Sequence, residues 1–102
     1  MKRKNMESPW RTVQLFLSSQ GAGIFEVEVD TDTKSTRCSC PVWKKLFSCK
    51  HTIFVNTKMK LNQGHYSISV PNEVPESVAV EANEDPKKFR DFVVRYAKVE
   101  VL

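Results

Sequence analysis

All three cysteines of the chain fall within residues 38–49, and a histidine stands two positions after the last of them. The pattern reads Cys38-Ser39-Cys40, then Cys49-Lys50-His51. An odd number of cysteines makes a poor disulfide framework, and thiols in a reducing compartment more often serve a metal or catalysis. In extended chain, residues two apart point to one face, so Cys38 and Cys40 can reach one ion together while Ser39 turns away. Inside a regular helix two residues are about 200° apart. Cys49 and His51 can therefore converge only if Cys49 sits in a turn and His51 opens the helix that follows. Three thiolates and one imidazole complete a tetrahedral zinc shell, and sulfur donors argue against magnesium or calcium. A full shell leaves no place for an activated water. The sequence thus predicts one structural Zn²⁺ held by Cys38, Cys40, Cys49 and His51. Rival readings explain less. A cysteine nucleophile with His51 as base leaves two thiols unexplained and has no third orienting residue. An iron–sulfur cluster would ordinarily ask for four cysteines.

Periodicity around these ligands outlines a small zinc-bound α+β domain. Thr12–Ser18 reads as a strand, Ser19-Gln20-Gly21-Ala22-Gly23 as a turn, and Ile24–Asp30 as a second strand. In that second strand Phe25, Val27 and Val29 share one face and Glu26 and Glu28 the other. After a turn at Thr31–Lys34, Ser35–Cys40 completes a three-stranded antiparallel meander with one wet face. Pro41 breaks the strand and suits the start of a short helical turn. There Val42/Leu46 and Trp43/Phe47 are spaced to form an apolar side, and we expect Trp43 and Phe47 to pack as core over the zinc. A helix is expected from His51 to about Lys60, with Ile53, Phe54 and Thr57 at helical spacing and Asn62-Gln63-Gly64 closing it. Residues 63–84 read as a linker or an edge strand, since Tyr66–Val70 is strand-like while Pro71 and Pro75 interrupt. Asp85-Pro86 opens a C-terminal amphipathic helix over residues 85–98, whose stripe of Phe89, Phe92, Val93 and Tyr96 should close the open face of the sheet. The whole is one domain, as 102 residues allow.

Composition is that of an ordinary globular chain, 40% hydrophobic and 27% charged, with no apolar run long enough to span a membrane. The basic start Met1-Lys2-Arg3-Lys4-Asn5 is not followed by the apolar stretch of a signal peptide, so a cytoplasmic or nuclear, non-secreted location is expected. The net charge of +4 is unevenly spread. Residues 33–72 hold seven basic residues and no acid. A zinc ion with three thiolates adds a charge of only about −1, so this segment stays basic once metal is bound. Arg37, Lys44, Lys45, Lys50, Lys58 and Lys60 are its candidate nucleic-acid contacts.

The motif and its flanks resemble the SWIM-type zinc finger, whose pattern is C-x-C, a variable gap, then C-x-H. Proline commonly follows that family's second cysteine and a basic residue precedes its histidine, as in Cys40-Pro41 and Lys50-His51 here. Trp10, the first strand, the glycine turn and the Phe25–Val29 strand are also similar to the family, so the resemblance covers roughly residues 10–60, within a finger and supporting hairpin expected over 10–62, and not the C-terminal part. It implies a β-β-α zinc module associated with DNA binding or protein contacts, of the kind found in transposases, chromatin remodellers and ubiquitin ligases.

Two functions fit. The first is an accessory protein that binds nucleic acid through lysines; these lack the bidentate fork that reads guanine, so binding should be sequence-nonspecific. The second is a zinc-stabilised protein-interaction adaptor that presents the acidic segment 71–85 and the last helix to a protein partner. An enzyme or a small-molecule substrate is not expected. Besides His51 the chain has only His65, and residues 33–72 offer no carboxylate base.

Overall fold

Apolar–polar alternation in Trp10–Leu17 (β1) and Ile24–Asp30 (β2) produces an antiparallel strand pair. The structure, a computed structural model, describes residues 9–19, 21 and 23–102. Met1-Lys2-Arg3-Lys4-Asn5, together with Gln20 and Ala22 of the expected turn, lies outside the described residues. The Asp30 carboxylate closes the next turn by accepting from the Asp32 and Thr33 amides at 2.8 and 3.1 Å. The chain then returns as β3 (Thr36–Cys38), antiparallel to β2. Cys38 stands opposite Val27, which puts it on the apolar face of β2.

The expected three-stranded meander needs correction. A fourth strand, β4 (Glu100–Val101), lies parallel to β1, so the sheet is mixed with order β3-β2-β1-β4. Two residues are too few for any periodicity to show. They are recruited because the last helix returns the chain to the edge of β1, where the Leu102 amide donates to the Leu17 carbonyl at 3.1 Å.

Four helices follow β3 in the order α1 (Pro41–Leu46), α2 (Lys50–Leu61), α3 (Glu76–Ala82) and α4 (Pro86–Tyr96). The reading of residues 63–84 as linker or edge strand also needs correction, because α3 occupies its second half. Pro75 stops nothing there. It is extended and precedes the first helical residue, a place where proline needs no hydrogen bond. Tyr66–Val70 forms no strand; Tyr66 instead turns its hydroxyl to Gln14 Oε1 at 2.7 Å. Gln14 also donates to the Lys98 carbonyl at 2.7 Å. This buried glutamine ties three distant segments together with its polar atoms satisfied.

β1 is buried on both faces from Thr12 to Phe16. A register shift between Thr12 and Gln14 makes that possible by breaking the alternation. Val13 joins Phe16, Val27, Val29, Val55 and Met59 in the main core, while Thr12 donates to Glu26 at 2.8 Å on the other face. The helix α4 packs on β1, burying Phe92 and Val93 as its stripe anticipated, and Arg90 reaches over to Glu26 at 2.9 Å. The face that carries Glu26 is therefore partly roofed rather than fully wet. Hydrogen bonding from Arg90 holds the Glu26 carboxyl below the usual carboxylate range against the opposing push of burial. Its folded value is lowered, so this stabilisation is present above the unfolded value and is lost as pH falls through the folded one. Replacing Arg90 with methionine should lower stability by about 1 kcal/mol or less at neutral pH, since Arg90 is half exposed. The difference from wild type should vanish in acid, as thermal melts across pH will reveal.

Candidate metal centre

The three thiols and His51 converge where β3 ends and the first two helices begin. Cys38 is the last residue of β3, and Cys40 keeps an extended backbone as the N-cap of α1. Cys38 and Cys40 are buried and Ser39 between them is exposed, so the alternation read from the sequence carries through the strand's end. The Ser39 hydroxyl accepts from the Glu26 amide at 3.0 Å and its own amide donates to the Glu26 carbonyl at 3.1 Å, pinning the outward turn. Cys49 is the N-cap of α2 and His51 lies in its first turn, the arrangement the C-x-H spacing required.

Both cysteine caps use sulfur as the capping acceptor. Cys40 Sγ accepts from the Trp43 amide at 3.4 Å, and Cys49 Sγ from the Thr52 amide at 3.5 Å. Thr52 returns the favour to the backbone, its hydroxyl accepting from the Cys49 amide at 3.2 Å in a capping box. Thr52 was missed in the sequence reading. Its position three residues after a helix-opening cysteine is the signal that marks it.

The four side chains form one buried cluster whose ligand atoms all lie within 4.8 Å of one another, and it can hold a metal ion. His51 Nδ1 faces the sulfurs, 3.6 Å from Cys38 Sγ and 3.8 Å from Cys49 Sγ. A tetrahedral zinc shell with usual bond lengths has sulfur–nitrogen edges of about 3.6 Å, so these two distances and the donor set fit such an ion. The protein environment prepares the ligands unequally. Burial pushes the Cys38 thiol up to about 12. Burial also opposes ionisation of Cys49, but hydrogen bonds from Thr52, Cys40 and the His51 backbone together outweigh it and hold this thiol below its ordinary value. Burial and then the neighbouring Lys50 lower His51, which favours the neutral imidazole that ligation needs.

His51 Nε2 is buried with no hydrogen-bond partner among the described residues. A metal-bound histidine usually gives that N–H to a carboxylate or carbonyl. Here the ring sits beside two phenyl rings, Phe16 at 4.8 Å and Phe25 at 5.6 Å between centroids. Phe16 and Phe25 are register partners on β1 and β2, so the sheet itself builds the wall that holds the imidazole. Strand alternation placed Phe25 on the inner face in advance, but no sequence signal linked these two rings to the histidine.

The chain matches no family model, no curated protein and no solved structure. The cluster stands on its own geometry.

The six basic residues proposed as contacts differ in their surroundings. Arg37 bonds Glu28 at 2.8 Å and lies 4.0 Å over the Trp10 ring, on the side of β3 opposite Cys38 by strand alternation. Lys58 lies 4.9 Å over the Phe54 ring, and Lys60 lines a shallow depression with Lys34, Asn56 and Gly64. Lys44 and Lys45 on α1 and Lys50 at the start of α2 are all exposed.

Two apolar assignments also need correction. Phe47 does not pack as core over the metal, for it is 74% exposed, and Leu46 is 71% exposed; only Trp43 is half-buried against the core cluster. A six-residue helix held between two cysteine caps has no freedom to roll its apolar side inward. On α2 the buried side is His51, Thr52, Val55 and Met59, while Ile53 and Thr57 are exposed. Tying His51 to the sulfurs fixes the helix rotation, and a residue about 200° away from it must then face solvent.

Proposed function

We propose that this chain is a zinc-organised, SWIM-like module that grips nucleic acid without reading its sequence. The observation that carries the reading is the segment between the two cysteine caps. From Pro41 to Ser48 every residue but Trp43 is exposed, and Lys44, Lys45 and the adjacent Lys50 stand there with no acid anywhere in residues 33–72. A metal shell of Cys38, Cys40, Cys49 and His51 would fix this projection to the sheet, so three ammonium groups are presented from a rigid base. Lysines neutralise phosphates as point charges and carry little base information. Arg37, the one residue of the six with a bidentate fork, is occupied by Glu28 and Trp10. We read the metal as structural and the module as non-enzymatic, because all four donors of a tetrahedral shell come from the chain.

The test is a titration of DNA at several salt concentrations. Affinity should fall steeply with salt, and the Lys44→Ala, Lys45→Ala, Lys50→Ala triple variant should flatten the log–log slope by about 2–3 while melting like wild type. No measurable binding, or binding indifferent to salt, sinks the reading.

A protein-interaction adaptor is the second reading, favoured by the exposed apolar residues Val42, Leu46 and Phe47. The last helix supports it less than the sequence suggested, since Phe92 and Val93 are spent inside the fold.

A further inference from the structure

Phe47 adopts φ 55° and ψ 28°, the left-handed region, at the C-cap of α1. Glycine or asparagine ordinarily fills such a position, and a bulky side chain is disfavoured there. The closing hydrogen bond, from the Phe47 amide to the Trp43 carbonyl at 2.7 Å, uses backbone alone and would form with glycine. Packing does not account for the ring either, since three-quarters of the residue is open to solvent. Its one ring contact among the described residues is perpendicular to Trp43, with centroids 5.4 Å apart, which leaves at least one phenyl face free of them. Neither the backbone nor the core requires phenylalanine at this point, so its surface is what the position supplies.

The surroundings say what suits that surface. Exposed Lys44, Lys45 and Lys50 lie within three residues of it along the chain, exposed Val42 and Leu46 stand on the short helix it caps, and no acidic residue lies in residues 33–72. A fitting partner presents flat apolar faces alternating with negative charge. Single-stranded polynucleotide does so, whereas duplex hides its base faces within the stack. The aliphatic flank favours a base with a methyl group, which thymine has and uracil lacks.

We propose that Phe47 is a stacking platform for an unpaired base of single-stranded DNA, with Lys44, Lys45 and Lys50 holding the adjoining phosphates. This rests on the nucleic-acid reading above and adds to it the strandedness of the partner.

The test uses the zinc-loaded full chain and fluorescence anisotropy with three probes at one salt concentration: a short oligothymidylate, an oligouridylate of equal length, and a duplex. Phe47→Gly removes the ring and suits the left-handed backbone, so it should melt no lower than wild type. It should bind oligothymidylate about tenfold more weakly and duplex within about twofold of wild type. Phe47→Trp should restore oligothymidylate binding. Equal binding of oligothymidylate by Phe47→Gly and wild type overturns the stacking platform while the nucleic-acid reading survives. Equal or tighter binding of oligouridylate overturns the assignment to DNA. Failure of wild type to bind any probe removes the nucleic-acid reading and this proposal with it.

Discussion

Chelating the metal is expected to unfold the region around β3, α1 and α2 and to loosen the sheet. Cys38, Cys40 and Cys49 belong to the same buried cluster as Val27, Val55 and Met59, so the candidate metal site and the apolar core are one structure. Structural zinc in small modules contributes an apparent 10–16 kcal/mol at neutral pH, roughly the whole stability of a domain this size. Once the cation is gone, ionised thiols in one buried site repel, and protonated thiols lose their grip on the histidine. The pressure toward protonation is greatest at Cys38, which burial pushes up to about 12. Circular dichroism should show lost helix signal and no cooperative melt after chelation, with recovery on adding zinc. His51→Ala should resemble chelation even in excess zinc. Acidification should release the metal as well, because binding requires the thiols and the imidazole to give up protons. An unchanged melting temperature after complete chelation would refute the structural role.

The convergence of Cys38, Cys40, Cys49 and His51 was legible because it is local. Two i, i+2 pairs of donors need only an extended segment and a turn–helix junction to converge, and both follow from spacing and Pro41. Strands Trp10–Leu17 and Ile24–Asp30 were legible for the same reason, as alternation is a local pattern. What stayed hidden depends on distant partners. β4 exists only because α4 returns the chain to Leu17, and α3 leans on α4 with too few residues to display a helical period. Ile53 fits an apolar helix face in isolation, but the rotation of α2 is dictated by His51, so Ile53 faces out. Phe47 illustrates the same override from the other side: hydrophobicity suggested core, while two sulfur-capped helix ends leave it nowhere to be buried.

Replacing Phe16 with alanine is expected to cost about 3–5 kcal/mol in stability and, separately, to weaken zinc binding. Phe16 is fully buried, stands 4.8 Å from His51 and meets Phe54 edge-on at 5.3 Å. The stability loss is that of an aromatic cavity. The effect on the metal follows from the missing hydrogen bond at His51 Nε2, which leaves the imidazole oriented by ring contacts where other sites use a carboxylate. Losing an orienting partner typically lowers metal affinity about 10–100-fold, and Phe16→Ala should fall in that range. Val93→Ala supplies the control, since Val93 is also fully buried but lies on α4, outside the cluster that holds the ligands. It should lower the melting temperature and leave zinc affinity close to wild type. Phe16→Leu keeps much of the volume and should cost under about 1.5 kcal/mol. With the fold preserved, its zinc affinity, measured by competition with a chromophoric chelator, isolates the loss of the ring face. A Phe16→Leu protein that binds zinc as tightly as wild type would mean that the Phe16 ring does not orient His51, leaving that to the sulfurs and Phe25.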